Sequence, residues 1–129
     1  MFLRSVSISK TKKRILCVED HPDTCELIST ILKKYECTSA YSKADALFLA
    51  TKDKFDLYLL DYHLPDGNGI ELCLLIKNFD TTAPILFITG TSSMNEQQTL
   101  AIGAQGLIKN TTDNFVDKLQ KKVSELLEG

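Results

Sequence analysis

The chain has 129 residues and a formal net charge of −2, from 15 Lys and Arg against 17 Asp and Glu. This length suits one domain, and the 43% hydrophobic and 25% charged residues are typical of a globular protein. The slight acidity excludes a polybasic nucleic-acid binder, and no apolar run approaches the ~20 residues that span a bilayer. We therefore expect one domain with neither nucleic acid nor membrane among its direct partners.

Short apolar runs alternate along the chain with longer stretches whose apolar residues recur every three or four positions. The apolar runs predict five strands, over residues 14–18, 37–41, 55–60, 84–88 and 107–108. The amphipathic stretches predict five helices, which run from Pro22 to about Tyr35, from the cap Ser42, from about Ile70 to Lys77, from Ser92 or Ser93 to Ala101, and from Asp113. The predicted apolar side of the last helix consists of Phe115, Val116, Leu119, Val123, Leu126 and Leu127.

Five strand–helix units in strict alternation predict an α/β fold. Runs that are apolar at every position suit strands buried on both faces, as in a parallel sheet. Because crossovers between parallel strands are right-handed, the leading topology is a single doubly wound five-stranded sheet with helices on both faces. The sequence shows no internal repeat or interdomain linker.

The N-terminus and the cysteines indicate the cellular compartment. The first residues have too short an apolar stretch for a signal peptide, so we assign residues 1–12 to a leader and 13–127 to the domain. No Cys-x-x-Cys pair is present, and Cys17, Cys25 and Cys73 lie in apolar or helix-like stretches. These features predict buried, unpaired cysteines and a reducing, cytoplasmic location.

Polar residues end four of the five predicted strands. They are Glu19, Asp20, Asp61, Thr89 and Lys109. Ligands of parallel α/β sheets bind beyond the carboxyl ends of the strands, so these residues are expected to meet at one edge. Crowded carboxylates repel one another unless a cation lies between them, and an all-oxygen set suits Mg²⁺. A carboxylate in such a site can attack phosphorus as a nucleophile, while the ammonium and the hydroxyl bind phosphoryl oxygens.

These strand ends, together with the loop after the third strand, resemble the receiver domain of two-component response regulators over roughly residues 13–127. The shared motifs are Glu19-Asp20, Asp61-Tyr62-His63-Leu64-Pro65-Asp66-Gly67-Asn68-Gly69, Thr89-Gly90 and Lys109. The resemblance implies a flavodoxin-like sheet of strand order 2-1-3-4-5. It also implies a domain that catalyses its own phosphorylation and dephosphorylation but is otherwise not an enzyme.

The resemblance implies a role for each of these residues. Asp61 is the expected phospho-acceptor, which takes a phosphoryl group from the phosphohistidine of a histidine kinase or a histidine phosphotransfer protein. Mg²⁺ is the expected cofactor, bound directly by Asp20, Asp61 and the backbone carbonyl of His63, with Glu19 acting through a water. Thr89 and Lys109 are expected to hold the phosphoryl oxygens and to transmit the change to an unknown downstream protein.

The sequence departs from the family pattern near Lys109. The family usually has a proline next, often after a cis bond, whereas this chain has Asn110, so a trans bond is expected. The position of the family's switch aromatic is taken by Gly106 or by Leu107, depending on the end from which it is counted. An alternative function is therefore a receiver-like interaction module whose switching is atypical or independent of phosphorylation.

His63 is expected to line the mouth of the pocket with its side chain, and His21 to be a loop or helix-start residue.

A haloacid-dehalogenase-type phosphohydrolase is disfavoured, because its chemistry requires a second Asp two residues after the nucleophile, where this chain has His63. A flavodoxin-like flavin binder is disfavoured because Glu19-Asp20 would repel the flavin phosphate.

Overall fold

A computed structural model describes residues 12–90 and 94–129. Its strands are β1 (Arg14–Val18), β2 (Glu36–Ala40), β3 (Leu57–Leu60), β4 (His63–Leu64), β5 (Gly67–Asn68), β6 (Ile85–Thr89) and β7 (Gly106–Lys109). Its helices are α1 (Pro22–Ile31), α2 (Lys43–Lys52), α3 (Gly69–Phe79), α4 (Glu96–Ala101) and α5 (Phe115–Glu128). Of the predicted leader, residues 1–11 lie outside the described part.

Five of the strands form one parallel sheet of order β2-β1-β3-β6-β7. Counted within that sheet alone, the order is 2-1-3-4-5, so the predicted topology is confirmed. Since all five strands run in the same direction, their carboxyl ends lie along one edge. The register places Val18 of β1 beside Leu60 of β3, and Thr89 of β6 beside Lys109 of β7.

The sheet separates two hydrophobic cores. Leu16 and Val18 of β1 pack on the side that carries α2 and α3, whereas Ile15 and Cys17 pack on the side that carries α1 and α5. All four of these side chains are at most 1% exposed. Strands buried on both faces explain why the sequence runs are apolar at every position rather than at alternate positions.

The turn-rich segment after β3 contains an antiparallel ribbon that the sequence interpretation did not include. In this ribbon β4 pairs with β5, so that His63 lies opposite Asn68 and Leu64 opposite Gly67. Two residues per strand are too few to produce an alternating pattern, so the sequence signal was only that of a turn. The ribbon leads directly into α3, whose N-cap is Asn68.

Two helices differ from their predicted bounds by three residues or more, whereas α3 and α5 differ by one or two at an end. α1 ends at Ile31, and Leu32 and Tyr35 pack on the same core from the turn that follows it. α4 begins at Glu96 because Asn95 caps it, with reciprocal hydrogen bonds between Asn95 and Gln98. The predicted caps of that helix, Ser92 and Ser93, lie outside the described residues.

The last helix confirms most of its predicted apolar side. Leu119 and Val123 of α5 are fully buried against the sheet. Val116 was placed on that side as well, but it is 45% exposed. Phe115, Leu126 and Leu127 are half-buried against the same core.

The cysteines agree with the sequence interpretation. All four cysteines are free thiols, of which Cys37 is half-buried and the other three are buried. Across residues 12–90 and 94–129, no helix combines the length and the apolarity needed to cross a membrane.

Candidate functional site

The carboxyl ends of the strands surround a cleft of about 410 Å³. Its lining is polar and consists of Glu19, Asp20, His21, Thr24, Asp61, His63, Thr89, Gly90 and Asn110. Five of the predicted site residues therefore meet in one place, since the cleft brings together the acidic pair, Asp61, His63 and Thr89. Lys109 is half-buried at the last position of β7, next to the cleft residue Asn110.

Glu19 is a buried carboxylate held at the end of β1. Its backbone N–H donates to the carbonyl of Ala40 at 3.0 Å, which extends the pairing of β1 with β2 by one residue. Burial is the largest of several effects that together raise the pKa of Glu19 to about 7. Among the smaller effects, hydrogen bonds from His21 lower this pKa, whereas the carboxylates of Asp20 and Asp61 raise it.

His21 pairs with both members of the acidic pair. Its Nδ1 lies 2.9 Å from Glu19 Oε2 and 3.0 Å from Asp20 Oδ1, and its backbone N–H donates to Glu19 Oε2 at 3.0 Å. The hydrogen bond to Glu19 and the charge of Asp20 raise the pKa of His21. The prediction that His21 starts a helix is confirmed, because it is the N-cap of α1. Its contact with the two carboxylates was not anticipated.

Asp61 follows β3 and is fixed by its backbone. Its N–H donates to the carbonyl of Val18 at 3.0 Å, and its Oδ1 accepts a hydrogen bond from the Tyr62 N–H at 2.7 Å. Gly69 approaches from the far end of the ribbon, where a Cβ would lie 2.3 Å from the Asp61 carbonyl oxygen. A glycine is therefore required here for the ribbon and α3 to pack against the strand end.

Thr89 and Lys109 lie side by side at the ends of β6 and β7. Thr89 is 1% exposed. The Asn110 N–H donates to the Thr89 carbonyl at 3.1 Å, so the parallel pairing continues one residue past Lys109. The described residues contain no cis peptide bond, and the expected trans bond between Lys109 and Asn110 is confirmed.

His63 lies at the mouth of the cleft, as predicted for its side chain. Its ring meets that of Tyr62 edge to face, with centroids 4.7 Å apart. The residue is exposed, since it sits on the ribbon rather than on the main sheet. Sequence reasoning missed Thr24 and Asn110, although their positions, in the first turn of α1 and directly after a strand end, signal proximity to this edge.

The donor set of the cleft fits a hard divalent cation. The ligand atoms of Glu19, Asp20 and His21 all lie within 4.8 Å of one another, and Asp61 lines the same cleft. Carboxylate oxygens are the ligands that Mg²⁺ prefers. Burial is the main cause of the raised pKa of Glu19, but repulsion from Asp61 contributes to it, and a bound cation would relieve that repulsion.

Comparison with known proteins assigns the family. Residues 15–123 match the family model described as response regulator receiver domain. The chain belongs to this family. The expected receiver-domain resemblance is thereby confirmed over most of the chain.

Receiver domains with solved structures share the fold. A CheY-like receiver domain from Methanospirillum hungatei superposes with a TM-score of 0.83 at 27% identity and covers 92% of this chain and 95% of its own. TrrA from Thermotoga maritima, solved in complex with Mg²⁺ and BeF, has a TM-score of 0.79 at 30% identity, with 89% and 99% coverage.

The curated relatives are longer proteins. The response regulator PilR of Pseudomonas aeruginosa is 32% identical over 106 residues, which are 80% of this chain and 24% of PilR. The sensor histidine kinase RcsC of Escherichia coli is 31% identical over 86 residues, which are 65% of this chain and 9% of RcsC. The chain thus spans less than a quarter of either relative.

These matches define the function of the domain. It is a phospho-accepting receiver domain of two-component and phosphorelay signalling. None of the matches favours the alternative, a module independent of phosphorylation.

Gly106 and Leu107, the two candidates for the family's switch position, lie on opposite sides of the sheet in this receiver domain. A Cβ at Gly106 would meet the Lys122 side chain at 3.2 Å and Leu86 at 3.5 Å, on the α5 side of the sheet. Leu107 is half-buried and packs on the opposite core, on the side of α2 and α3. Neither position carries an aromatic ring.

Proposed function

We propose that Asp61 is the phospho-acceptor of this receiver domain and that Mg²⁺ assists the transfer. The observation that carries the proposal is the convergence of Asp61, the acidic pair and Thr89 in one cleft. The phosphoryl donor is a phosphohistidine on a histidine kinase or a histidine phosphotransfer protein. The domain proposed for this role comprises residues 13–127 and works in the cytoplasm.

The transfer forms one bond and breaks another. A carboxylate oxygen of Asp61 attacks phosphorus, the P–N bond of the phosphohistidine breaks, and the departing imidazole nitrogen keeps the electron pair and takes up a proton from solvent water. The hydrogen bond from the Tyr62 N–H to Oδ1, at 2.7 Å, orients the carboxylate for this attack. Thr89 and Lys109, side by side at the strand ends, bind oxygens of the transferred group.

Mg²⁺ supplies positive charge against the phosphoryl oxygens when it is bound. We assign Asp20, Asp61 and the His63 carbonyl as direct ligands and Glu19 as a ligand through water. The arrangement of the acidic pair supports this division, because Glu19 is buried while the Asp20 side chain is 35% exposed. One Glu19 oxygen already accepts two hydrogen bonds from His21.

The two acidic residues are predicted to differ in their effect on Mg²⁺. Asp20→Asn should weaken Mg²⁺ binding more than Glu19→Gln, roughly tenfold or more against a few-fold, because a direct ligand matters more than an outer one. Isothermal titration with Mg²⁺ measures both affinities, and acetyl phosphate labelling with and without EDTA measures the requirement. Equal losses, or a larger loss for Glu19→Gln, would reverse the two roles.

The structural change caused by phosphorylation is predicted to be confined to part of this receiver domain. Phosphorylation should change the loops after Asp61 and Thr89, but it should affect β7 only slightly, because Gly106 and Leu107 offer no ring to move. A ligand shifts an equilibrium only through contacts that differ between two states. Amide chemical shifts with and without beryllofluoride measure the extent of the change. Large shifts that run through Leu107 into α5 would show that coupling persists without the aromatic residue.

A further inference from the structure

The N-terminus of α2 is capped by a residue that lies 23 positions away in the sequence. Asp66, at the tip of the ribbon, accepts hydrogen bonds from the N–H groups of Lys43 at 2.7 Å and Ala44 at 2.9 Å. Ser42 accepts a third, from the Asp45 N–H at 3.1 Å. The first N–H groups of a helix have no partner within it, so Asp66 and Ser42 together satisfy three of them in α2.

The ribbon is also fixed at its other end. Asn68 and Glu71 cap α3 reciprocally, with hydrogen bonds of 2.9 Å and 3.1 Å. Glu71 Oε1 lies 3.5 Å from Lys43 Nζ, which links α3 back to α2. A Cβ at Gly67 would lie 2.6 Å from Glu71 Oε1, so the ribbon passes close to this pair. The ribbon is thus held between the starts of two helices.

We propose that Asp66 is a positioning residue for phosphoryl transfer: it fixes the ribbon that presents the His63 carbonyl to Mg²⁺. This inference rests on the proposed function, since it assumes the metal site described above. Asp66 touches neither the metal nor the phosphoryl group. It acts through the four ribbon residues His63, Leu64, Gly67 and Asn68.

The hydrogen bonds from Lys43 and Ala44 to Asp66, called the clamp below, are favoured by electrostatics at neutral pH. The backbone hydrogen bonds from Lys43 and Ala44 lower the pKa of Asp66. The carboxylate is therefore charged, and a negative charge at a helix N-terminus is stabilised by the helix dipole. A charged acceptor also makes stronger hydrogen bonds than a neutral one.

The clamp should influence metal affinity more than the chemical step. The α3 cap holds the ribbon at Asn68, opposite His63, but a ladder of two residue pairs is marginal by itself. Without Asp66, part of the ordering of residues 63–67 would therefore have to occur when the metal binds. The apparent affinity for Mg²⁺ is then reduced in proportion to the fraction of chains whose ribbon has the binding-competent conformation. At saturating Mg²⁺ the ribbon is ordered in all chains, and the rate of transfer should return close to that of the wild type.

The test compares Asp66→Ala with Ser42→Ala. Both variants remove a cap from α2, but only Asp66→Ala releases the ribbon. Titration with Mg²⁺ alone should show roughly tenfold weaker binding for Asp66→Ala and little change for Ser42→Ala. Asp66→Asn, which keeps the shape but offers one acceptor oxygen instead of two, should lie between. Labelling by acetyl phosphate at saturating Mg²⁺ should be close to wild type in all three.

Two results would overturn the positioning role. Unchanged Mg²⁺ affinity in Asp66→Ala would show that the ribbon needs no clamp, and an equal loss in Ser42→Ala would assign the effect to the stability of α2. If Asp66→Ala does not fold, Asp66→Asn decides by the same criteria. Wild-type protein that binds no Mg²⁺ would instead contradict the proposed function, so the two failures are distinguishable.

Discussion

Asp61→Asn is expected to reduce phosphorylation by acetyl phosphate to background. The carboxamide keeps the size of the side chain, but it lacks the charged oxygen that is proposed to attack phosphorus and to bind Mg²⁺. The backbone hydrogen bond from Asp61 to Val18 does not depend on the side chain, so the fold should persist. Mass spectrometry of the intact protein after incubation with acetyl phosphate and Mg²⁺ measures the loss.

Asp56→Asn provides a matched control. Asp56 precedes β3 at the opposite edge of the sheet, where its Oδ2 accepts a hydrogen bond from the Arg14 N–H at 2.8 Å. This variant removes a carboxylate from the other end of the same strand and should be phosphorylated like the wild type. Undiminished labelling of Asp61→Asn would show that another residue is the acceptor.

Gly69→Ala is expected to lower both the free energy of unfolding and the rate of phosphorylation. The added methyl group would lie 2.3 Å from the Asp61 carbonyl oxygen and 2.8 Å from the Phe87 ring. The first contact is with backbone that cannot move without displacing Asp61, the proposed acceptor. Overpacking of this kind costs about 1–3 kcal/mol, which urea denaturation will measure.

Gly106→Ala is the control for this substitution. There the new methyl group would meet the flexible Lys122 side chain at 3.2 Å, and that side chain can shift toward solvent. Alanine also suits a strand better than glycine does, so the change in unfolding free energy should stay within about 0.5 kcal/mol. Equal losses in the two variants would contradict the steric explanation at Gly69.

The sheet and its functional edge could be predicted from the sequence for one physical reason. Strands buried on both faces are apolar at every position, and their polar continuations mark where they leave the core. Glu19, Asp20, Asp61 and Thr89 each follow or end such a run, and parallel strands bring these ends together. The convergence of these residues could therefore be predicted without information about side-chain contacts.

The details of the site could not be predicted in this way. The contact of His21 with the acidic pair depends on the path of the chain between β1 and α1, for which no periodicity exists. The hydrogen bonds from α2 to Asp66 join residues 22 and 23 positions apart, across two elements. Asn110 enters the cleft lining because the β6–β7 pairing continues past Lys109.

The most direct measurement is the location of the phosphoryl group in the wild-type protein. The protein is incubated with acetyl phosphate and Mg²⁺, the acyl phosphate is reduced with borohydride, and the peptides are analysed by mass spectrometry. A single modified residue, Asp61, is the predicted result, and it should disappear when EDTA is present. Modification at Asp20 or Glu19, or labelling that does not need Mg²⁺, would contradict the assignment of the acceptor and its metal site.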